Sequence, residues 1–300
     1  MRSDSHGYLG RINRAIDLIV RDLSQPLSLA ALSEASGFSP FHFHRVFRAL
    51  VGETPNQFVK RLRLERSVYL MSHAPQRSLT QVALDCGFAS SSDFSRSFKQ
   101  HFGQAPRHFD LDAFRDSRRA DFDRLMGAQR EPPHVTALEA GANPDGFQVQ
   151  LRELPARTVA YVRVFDPYRE GAAQAACERL LAWAEPRGLA DGQWLGYMWD
   201  EPEIVALADC RYDVALVVDD VAPEGDIGIY RFPPMRVAEL VIRGDIHLEV
   251  RAIDWLYKTW LPRSGCVPAD QPAFEAWIGR PFAQGNETFE LACQLPVVPA

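Results

Sequence analysis

An acidic residue and an indole share one side of a short predicted strand near the end of the chain. Because successive side chains of a strand point to opposite faces, Glu275 and Trp277 lie on one face and Phe274, Ala276 and Ile278 on the other. A carboxylate beside an aromatic ring offers charge pairing, stacking and cation-π attraction to an aromatic or cationic small molecule. We expect the apolar face to pack on helices and the carboxylate to lie on the uncovered face.

Repetition in the second half of the chain predicts two more aromatic residues near this carboxylate. The order β-β-α-β-β occurs twice between residues 147 and 300, and the symmetry of the repeat brings Tyr197 and Trp199 close to Glu275. The alternative is an exposed glutamate on a solvated sheet, with the tryptophans in the core. Trp255 lies on the second predicted helix of this region and fits either the core or the site.

Periodicity and turn residues define the elements of this second half. The predicted strands are 147–154, 157–165, 194–199, 212–218, 227–232, 236–242, 273–278 and 289–295, and the predicted helices are about 168–186 and 246–261. We expect helices that cover one face of an antiparallel sheet and leave the other face free.

The first third of the chain contains one motif twice. The run Ser28-Leu29…Gly37-Phe38…Arg45-x-Phe47…Gly52-x-x-Pro55-x-x-Phe58 recurs as Ser78-Leu79…Gly87-Phe88…Arg96-x-Phe98…Gly103-x-x-Pro106-x-x-Phe109. Each copy predicts a helix with a serine N-cap, a turn at a glycine that can adopt positive φ, and a second helix with short polar and basic side chains. This is the pattern of a helix-turn-helix. Two such second helices about 34 Å apart would enter successive major grooves of B-DNA.

Charge is distributed unevenly between the two parts of the chain. Residues 1–110 contain 14 basic and 9 acidic residues, a net charge of +5, and residues 111–300 contain 19 and 30, a net charge of −11. Their sum is the −6 of the whole chain. A basic module joined to an acidic one is compatible with DNA binding by the first part.

The predicted fold class is α+β with two domains. An all-α tandem helix-turn-helix domain (1–110) is followed by a linker (111–146) that is helical at its start and loose later. A pseudo-twofold duplicated antiparallel α+β domain (147–300) completes the chain. A first helix is expected over about 9–22, and a long helix over 55–71 is expected to join the two repeats. The basic residues of that long helix are predicted to form its outer face; they are Lys60, Arg61, Arg63 and Arg66.

Several classes of protein are disfavoured by the sequence. The beginning of the chain lacks the apolar core of a signal peptide, and no run approaches the roughly 18 apolar residues of a membrane span, so we expect a cytoplasmic, nucleoid-associated protein without a membrane partner. The five cysteines are widely spaced, which suits core packing in a reducing compartment. The pair His42-x-His44 points in different directions on a helix, so no metal or other cofactor is predicted.

Residues 8–109 resemble the tandem helix-turn-helix domain of the AraC/XylS family of bacterial transcription regulators. The stretch Ala83-x-x-x-Gly87-Phe88…Phe94-Ser95-Arg96-x-Phe98-Lys99-x-x-Phe102-Gly103-x-x-Pro106 carries the resemblance most strongly. It implies reading helices over about 40–50 and 91–101. The residues that it places toward DNA are Phe41, His44, Arg45, Ser91, Ser92, Asp93, Arg96 and Lys99.

Among these residues, Arg45 is the best candidate for direct base readout. A guanidinium can bond O6 and N7 of one guanine together, which contributes roughly 1 to 3 kcal/mol of discrimination. Phe41 could contact a thymine methyl group. The alternative for both residues is a solvated or phosphate-bound side chain. For Arg96 the alternative is an ion pair with Asp93.

Residues 147–298 resemble the GyrI-like effector-binding domain. The stretches Gly196-Tyr197-Met198-Trp199-Asp200-Glu201-Pro202-Glu203, Arg211-Tyr212-Asp213, Trp260-Leu261-Pro262-x-Ser264-Gly265 and Pro272-x-Phe274-Glu275 carry this resemblance. It implies that Glu275 is a ligand-facing glutamate. The chain departs from the family pattern at Pro233-Pro234-Met235 and at Trp277, where a tyrosine is common. The predicted effector site comprises Tyr197, Trp199, Trp255, Glu275 and Trp277.

The leading functional hypothesis is a one-component transcription regulator without a catalytic residue. Its predicted partners are double-stranded promoter DNA and a small, aromatic or cationic effector, with RNA polymerase as a candidate, and it acts as a monomer or homodimer. An alternative is hydrolysis of a reactive small molecule with Glu275 as general base. A third hypothesis is an architectural DNA binder whose second domain recruits a protein.

Overall fold

The computed structural model of the protein describes residues 2–128, 141–283 and 288–300 and divides into two compact units. The first unit extends to Asp116 and includes Pro223–Gly228. The second comprises Ser117–Ala222 and Ile229–Ala300. The helical first unit and the sheet-containing second unit confirm the predicted two-domain α+β fold class. Within the described residues, no helix is long and apolar enough to cross a bilayer.

The described part of the first unit contains six complete α-helices and the start of a seventh. They are α1 (Arg2–Arg21), α2 (Leu29–Ser36), α3 (Pro40–Val51), α4 (Pro55–His73), α5 (Leu79–Asp85), α6 (Ser91–Phe102) and α7 (Leu111–Ala128). The two copies of the motif form α2-α3 and α5-α6, and the predicted reading helices correspond to α3 and α6. The first helix begins earlier than the predicted residue 9.

Side-chain caps and glycine turns explain why the two copies adopt the same local structure. The Ser28 and Ser78 side chains accept hydrogen bonds from backbone N–H groups in the first turns of α2 and α5. Gly37 and Gly87 follow with φ of 64° and 80°, in the left-handed region that favours glycine. A Cβ at Gly87 would also collide with the carbonyl oxygen of Leu23. The serine and glycine pattern therefore fixes each turn between a supporting and a reading helix.

Phenylalanines form the core of both copies. Phe43, Phe47 and Phe58 are fully buried and meet edge to face, with ring centroids 5.4 Å apart. Phe94 and Phe98 are equally buried in the second copy, with centroids 5.4 Å apart. One face of each reading helix is therefore held inward.

The basic outer face predicted for α4 is wrong for two of its four residues. The Arg61 guanidinium is ion-paired with Glu53 at 2.6 Å and with Glu65 at 3.1 Å, and its side chain is only 13% exposed. Arg63 donates to the backbone carbonyl oxygens of Leu23 and Gln25 at 2.9 and 2.8 Å. Charge alone predicted a solvated face, whereas these guanidinium groups satisfy buried carboxylates and loop carbonyls.

In its described residues, the second unit is built on a nine-stranded sheet. Its strands are β1 (Gln150–Leu154), β2 (Arg157–Phe165), β3 (Trp194–Met198), β4 (Arg211–Val218), β5 (Gly228–Phe232), β6 (Met235–Gly244), β7 (Cys266–Pro268), β8 (Ala273–Trp277) and β9 (Phe289–Pro299). The order is β1-β6-β9-β8-β3-β4-β2-β5, and β7 pairs with β9. Strand β7 was not predicted.

The sheet confirms the duplicated architecture and exchanges one strand between the copies. The first copy contributes β2-β4-β3 and the second β6-β9-β8, and the copies meet where β3 pairs with β8. Strand β1 of the first copy pairs with β6 of the second, while β5 of the second copy pairs with β2 of the first. Each copy therefore completes the sheet of the other.

Two helices of the second unit pack on the same sheet. They are α8 (Ala172–Ala184) against β2 and β4, and α9 (Ile246–Trp255) against β6 and β9. A π-helical segment (Leu256–Trp260) continues α9. The helix predicted over 168–186 is shorter at its start, because α8 begins at Ala172. The helix predicted over 246–261 is α-helical only to Trp255 and then continues as the π-helical segment.

The later part of α7 belongs to the second unit. Phe122 and Met126 pack with Val250 of α9, and the Phe122 ring meets Tyr168 edge to face. Arg119 donates to the Asp254 carboxylate at 2.6 Å. The predicted linker is thus helical at its start, while its residues 129–140 lie outside the described part of the chain.

Candidate functional site

The Glu275 carboxylate lies in a cluster of polar side chains between the sheet and α9. The Tyr212 hydroxyl of β4 donates to Glu275 Oε2 at 2.5 Å, and Trp277 lies two residues further along β8 on the same face. The Glu249 side chain of α9 is in hydrogen-bonding contact with Glu275. Glu249 and Tyr212 are buried, at 4% and 7% exposure, whereas Glu275 keeps partial access to solvent. We call Glu275, Glu249, Tyr212 and Trp277 the Glu275 cluster.

The prediction that Glu275 lies on an uncovered face is wrong. Its contact with Glu249 shows that α9 covers this face. The opposite face, with Phe274 and Ala276, packs against aromatic and aliphatic side chains of the same sheet, including Phe232 and Val237. Strand alternation separated the two faces correctly. It could not show that the apolar face would be buried by other strands and not by the helices.

Tyr197 and Trp199 lie on this opposite face and do not join Glu275. The Tyr197 ring packs on Phe274 with centroids 5.5 Å apart and is fully buried. The Trp199 indole N–H donates to Asp213 Oδ2 at 2.8 Å. In β3, Tyr197 is adjacent to Gly196, which pairs with Glu275, so its side chain points away from the carboxylate. The repeat predicted the right strands but the wrong face.

Of the two remaining predicted effector contacts, one joins the cluster. Trp277 is buried and shares the face of Glu275, as its spacing predicts. Trp255 is buried on α9, where its ring packs on Phe147 with centroids 5.7 Å apart. Within the described residues, the Trp255 indole N–H forms no hydrogen bond, to Glu275 or to any other residue.

Burial determines the protonation of the cluster. Desolvation raises the pKa of Glu249 well above its ordinary value, and the neighbouring Glu275 carboxylate raises it further. Desolvation also raises the pKa of Glu275, against the opposing effect of its polar neighbours, chiefly the hydrogen bond from Tyr212. Two carboxyl groups in hydrogen-bonding contact need one proton between them. The described contacts of Glu275 include no arginine or lysine.

Gly196 provides the space for this arrangement. It lies opposite Glu275 across the β3–β8 pair. A Cβ at this position would collide with the Tyr212 hydroxyl and with Glu275 Oε2. Gly196 and Glu275 are the third residues of the corresponding strands in the two copies. The centre of the sheet therefore carries an acidic residue in one copy and, in the other, a glycine whose missing side chain leaves room for that residue and for Tyr212.

Two buried ion pairs hold Tyr212 in place. Arg211 donates from two guanidinium nitrogens to the Asp200 carboxylate at 2.8 and 2.6 Å. Asp213 accepts two hydrogen bonds from Arg163, at 2.9 and 2.7 Å, on the opposite face. The residues before and after Tyr212 are thus fixed by bidentate contacts, which explains the Arg-Tyr-Asp motif physically.

Sequence reasoning missed Glu249 and the role of Tyr212. Glu249 lies on the helical stripe of Ile246, Val250 and Ile253, and an acidic residue on an apolar stripe is a recognisable signal. Tyr212 was part of a quoted motif but was not assigned to the site. Its place on β4 beside β3 depends on strand pairing, which the sequence alone does not fix.

The reading helices present a separate candidate surface on the first unit. Phe41 is 75% exposed, and the Arg45 guanidinium lies 5.8 Å from the centre of its ring. Ser92, Arg96 and Lys99 are exposed on α6. The half-buried members of the predicted set are His44, Ser91 and Asp93. In this described region Arg96 forms no ion pair with Asp93, so its guanidinium is available to a partner.

Two family models match the chain in the same order as its two types of structure. Residues 32–111 match the model described as "Helix-turn-helix domain". Residues 147–298 match the model described as "GyrI-like small molecule binding domain".

Similar proteins fall into the same two groups. The probable transcriptional regulator LumQ of Photobacterium leiognathi is 34% identical over 33% of this chain and 40% of its own length. The DNA gyrase inhibitor of Serratia proteamaculans (strain 568) is 30% identical over 46% of this chain and 90% of its own length. A crystal structure of an AraC-type transcriptional regulator from Chromobacterium violaceum is 30% identical over 32% of this chain and 86% of that one, with a TM-score of 0.31.

The matched segments define a class: a helix-turn-helix domain of the AraC type followed by a domain that binds small molecules. The second match extends over half of the residues. The chain therefore belongs to the GyrI-like small molecule binding family.

Proposed function

We propose that this protein is a one-component transcription regulator that binds promoter DNA through α3 and α6 and a small molecule at the Glu275 cluster. The observation that carries the proposal is the coexistence of two exposed reading surfaces with a half-buried carboxylate, Glu275, that has no basic partner among its described contacts. The match to an AraC-type helix-turn-helix domain and to a small molecule binding domain supports both parts.

DNA binding rests on the exposed faces of the reading helices. Phe43 and Phe47 anchor α3 inward, so Phe41 and Arg45 are left to meet a base edge. Phe94 and Phe98 anchor α6 in the same way and leave Arg96 and Lys99 outward. Ser91, Ser92, Asp93 and His44 remain proposed contacts at the edges of these faces. A helix led by short polar side chains is suited to phosphate contacts.

The DNA proposal is tested with fragments that the wild-type protein selects from a random library. The double variant Arg45→Ala/Arg96→Ala should weaken binding at least 100-fold and reduce its salt dependence, because it removes up to two cationic contacts. Arg124→Ala is the matched control, since Arg124 is 76% exposed on α7 and lies outside both reading helices. Unchanged affinity in the double variant would exclude this surface.

The effector part rests on the chemistry of the Glu275 cluster. A carboxylate with partial access to solvent beside Trp277 can attract a cation and pack against its apolar body. Trp255 remains a proposed contact, because it is buried on the helix that carries Glu249. Tyr197 and Trp199 support the sheet from its other face. The proposed effector is thus an aromatic or lipophilic cation.

Tryptophan fluorescence tests the effector part. Tetraphenylphosphonium should quench the wild-type protein saturably, and Glu275→Gln should weaken its binding at least tenfold because the counter-charge is lost. Glu178→Gln is the matched control, since Glu178 is exposed on α8. Absence of quenching by tetraphenylphosphonium and by a panel of other lipophilic cations would contradict the proposal.

The mode of regulation extends this proposal. LumQ is named as a probable transcriptional regulator, which supports a role for this protein that is not enzymatic.

Binding to the selected DNA with and without tetraphenylphosphonium measures the coupling between DNA binding and effector binding. Contact with RNA polymerase, a cytoplasmic location and action as a monomer or homodimer remain predictions. Their tests are pull-down, fractionation and sedimentation.

A further inference from the structure

We propose that Glu249 and Glu275 share one proton in the ligand-free protein, and that a monocationic effector binds with release of this proton. The inference deepens the proposed function and rests on it, because it concerns the same carboxylate. It assigns Glu249 as the second acid of the effector site.

The contact between the two side chains carries the argument. Glu249 and Glu275 approach each other from a helix and a strand, within hydrogen-bonding contact. Two ionised carboxylates have only acceptor atoms and repel each other, so this contact requires that one of them be protonated. Glu275 also accepts a hydrogen bond from the Tyr212 hydroxyl, which stabilises its ionised form. The proton therefore resides mainly on Glu249.

Among the residues that the structure describes, the titratable groups that face the pair from neighbouring elements do not supply a positive charge. Tyr212 on β4, Tyr168 before α8 and Cys293 on β9 all have pKa values raised by burial, so they are neutral at pH 7. Cys177 of α8 faces Tyr212, and burial raises its pKa to about 11. On α9 itself, His247 is two residues from Glu249 and points to another side of the helix. A proton or a ligand cation must therefore neutralise the second carboxylate.

The exchange balances in charge. The empty site holds one carboxylic acid and one carboxylate, a net charge of −1. When a monocation enters, Glu249 loses its proton to solvent and two carboxylates face one positive charge, again a net charge of −1. A neutral ligand leaves the proton in place. Affinity for a monocation should therefore rise with pH, while affinity for a neutral molecule of the same shape should not.

The experiment compares tetraphenylphosphonium with neutral triphenylphosphine oxide on the full chain. The dissociation constant of the cation should fall by up to tenfold per pH unit from pH 5.5 upward and level off once the pair has ionised. The dissociation constant of the oxide should stay constant. Glu249→Gln should abolish the slope for the cation, because only one carboxylate remains and no proton is released. Calorimetry in buffers of different ionisation enthalpy should show release of one proton in the wild type only.

Each outcome separates this inference from the proposed function. Saturable binding of tetraphenylphosphonium with the same slope in Glu249→Gln, or without a slope in the wild type, would overturn the shared proton and leave the effector site standing. No binding at any pH would remove both. Carbon-13 titration of the glutamate carboxyl groups in the ligand-free protein is a readout without ligand. Ordinary glutamate titration of both residues there would also overturn the inference.

Discussion

The two faces of the same sheet treat buried charge in opposite ways. On one face, Arg163 and Asp213 are fully buried and joined by two hydrogen bonds, so each charge has its counter-charge. On the other face, Glu249 and Glu275 are placed together, and no basic residue is among their described contacts. Burial of a charged residue therefore does not by itself mark a functional site. A buried acid without a counter-charge does mark such a site, because a proton or a ligand must neutralise its negative charge.

The ion pair on the first face has a structural role. Asp213 also accepts the Trp199 indole N–H and adjoins Tyr212 in the chain, so it fixes the strand that presents Tyr212 to Glu275. The acids of the second face add strain instead of rigidity, since each disfavours ionisation of the other. The ion pair on the first face therefore stabilises the position of Tyr212, which contacts Glu275 on the second face.

Removing one partner of the Arg163–Asp213 ion pair should have the largest effect on the free energy of unfolding. Asp213→Ala leaves the Arg163 guanidinium buried without its counter-charge, and we expect a loss of about 3 to 5 kcal/mol in the free energy of unfolding. Urea denaturation followed by circular dichroism measures it. The double variant Arg163→Met/Asp213→Leu should recover most of the loss, because no lone charge remains. Equal losses in both proteins would show that packing, and not charge, is responsible.

Adding a side chain at Gly196 should have an intermediate effect on the free energy of unfolding. Gly196→Ala places a methyl group against the Tyr212 hydroxyl and Glu275, and we expect a loss of about 1 to 3 kcal/mol from overpacking. Binding of tetraphenylphosphonium should weaken as well. Both quantities can be measured by tryptophan fluorescence. Unchanged binding and stability would mean that the cluster is looser than its contacts indicate.

Replacing one acid of the Glu249–Glu275 pair should have the smallest effect on the free energy of unfolding, and this effect should be stabilising. The folded-state pKa of Glu249 is raised above its unfolded value, so the native protein loses stability as pH rises above the ordinary range of glutamate toward that folded pKa. Glu249→Gln should therefore be stabilised by about 1 to 2 kcal/mol relative to the wild type at pH 8 and differ little from it at pH 4. Urea midpoints at the two pH values test the sign. Destabilisation at pH 8 would indicate that the ionised pair is favourable.

Local signals were sufficient for the helical unit and for the positions along the chain of eight of the nine described strands. Serine caps, glycine turns and phenylalanine spacing predicted α2-α3 and α5-α6, because each depends on residues close in sequence. The alternation around Glu275 placed it correctly with Trp277. These patterns are short-range, and the structure follows them closely.

Information about what lies across from a side chain was missing from the sequence. The inward role of Arg63 depends on the carbonyl groups of Leu23 and Gln25, far away in the chain. The face assigned to Tyr197 was wrong for the same reason, because the partner of an apolar face can be a helix or another strand. Glu249 could have been noticed as an acid on an apolar stripe, but its meeting with Glu275 is a tertiary fact.

The exchange of β1 and β5 between the two copies makes the second unit indivisible. If a truncation removed either copy, it would also remove the edge strand that its sister copy borrows, and would leave a row of unsatisfied N–H and C=O groups on β6 or β2. Such a fragment would be prone to aggregate by edge-to-edge pairing. Although the duplication makes the copies look like separable modules, they can fold only together.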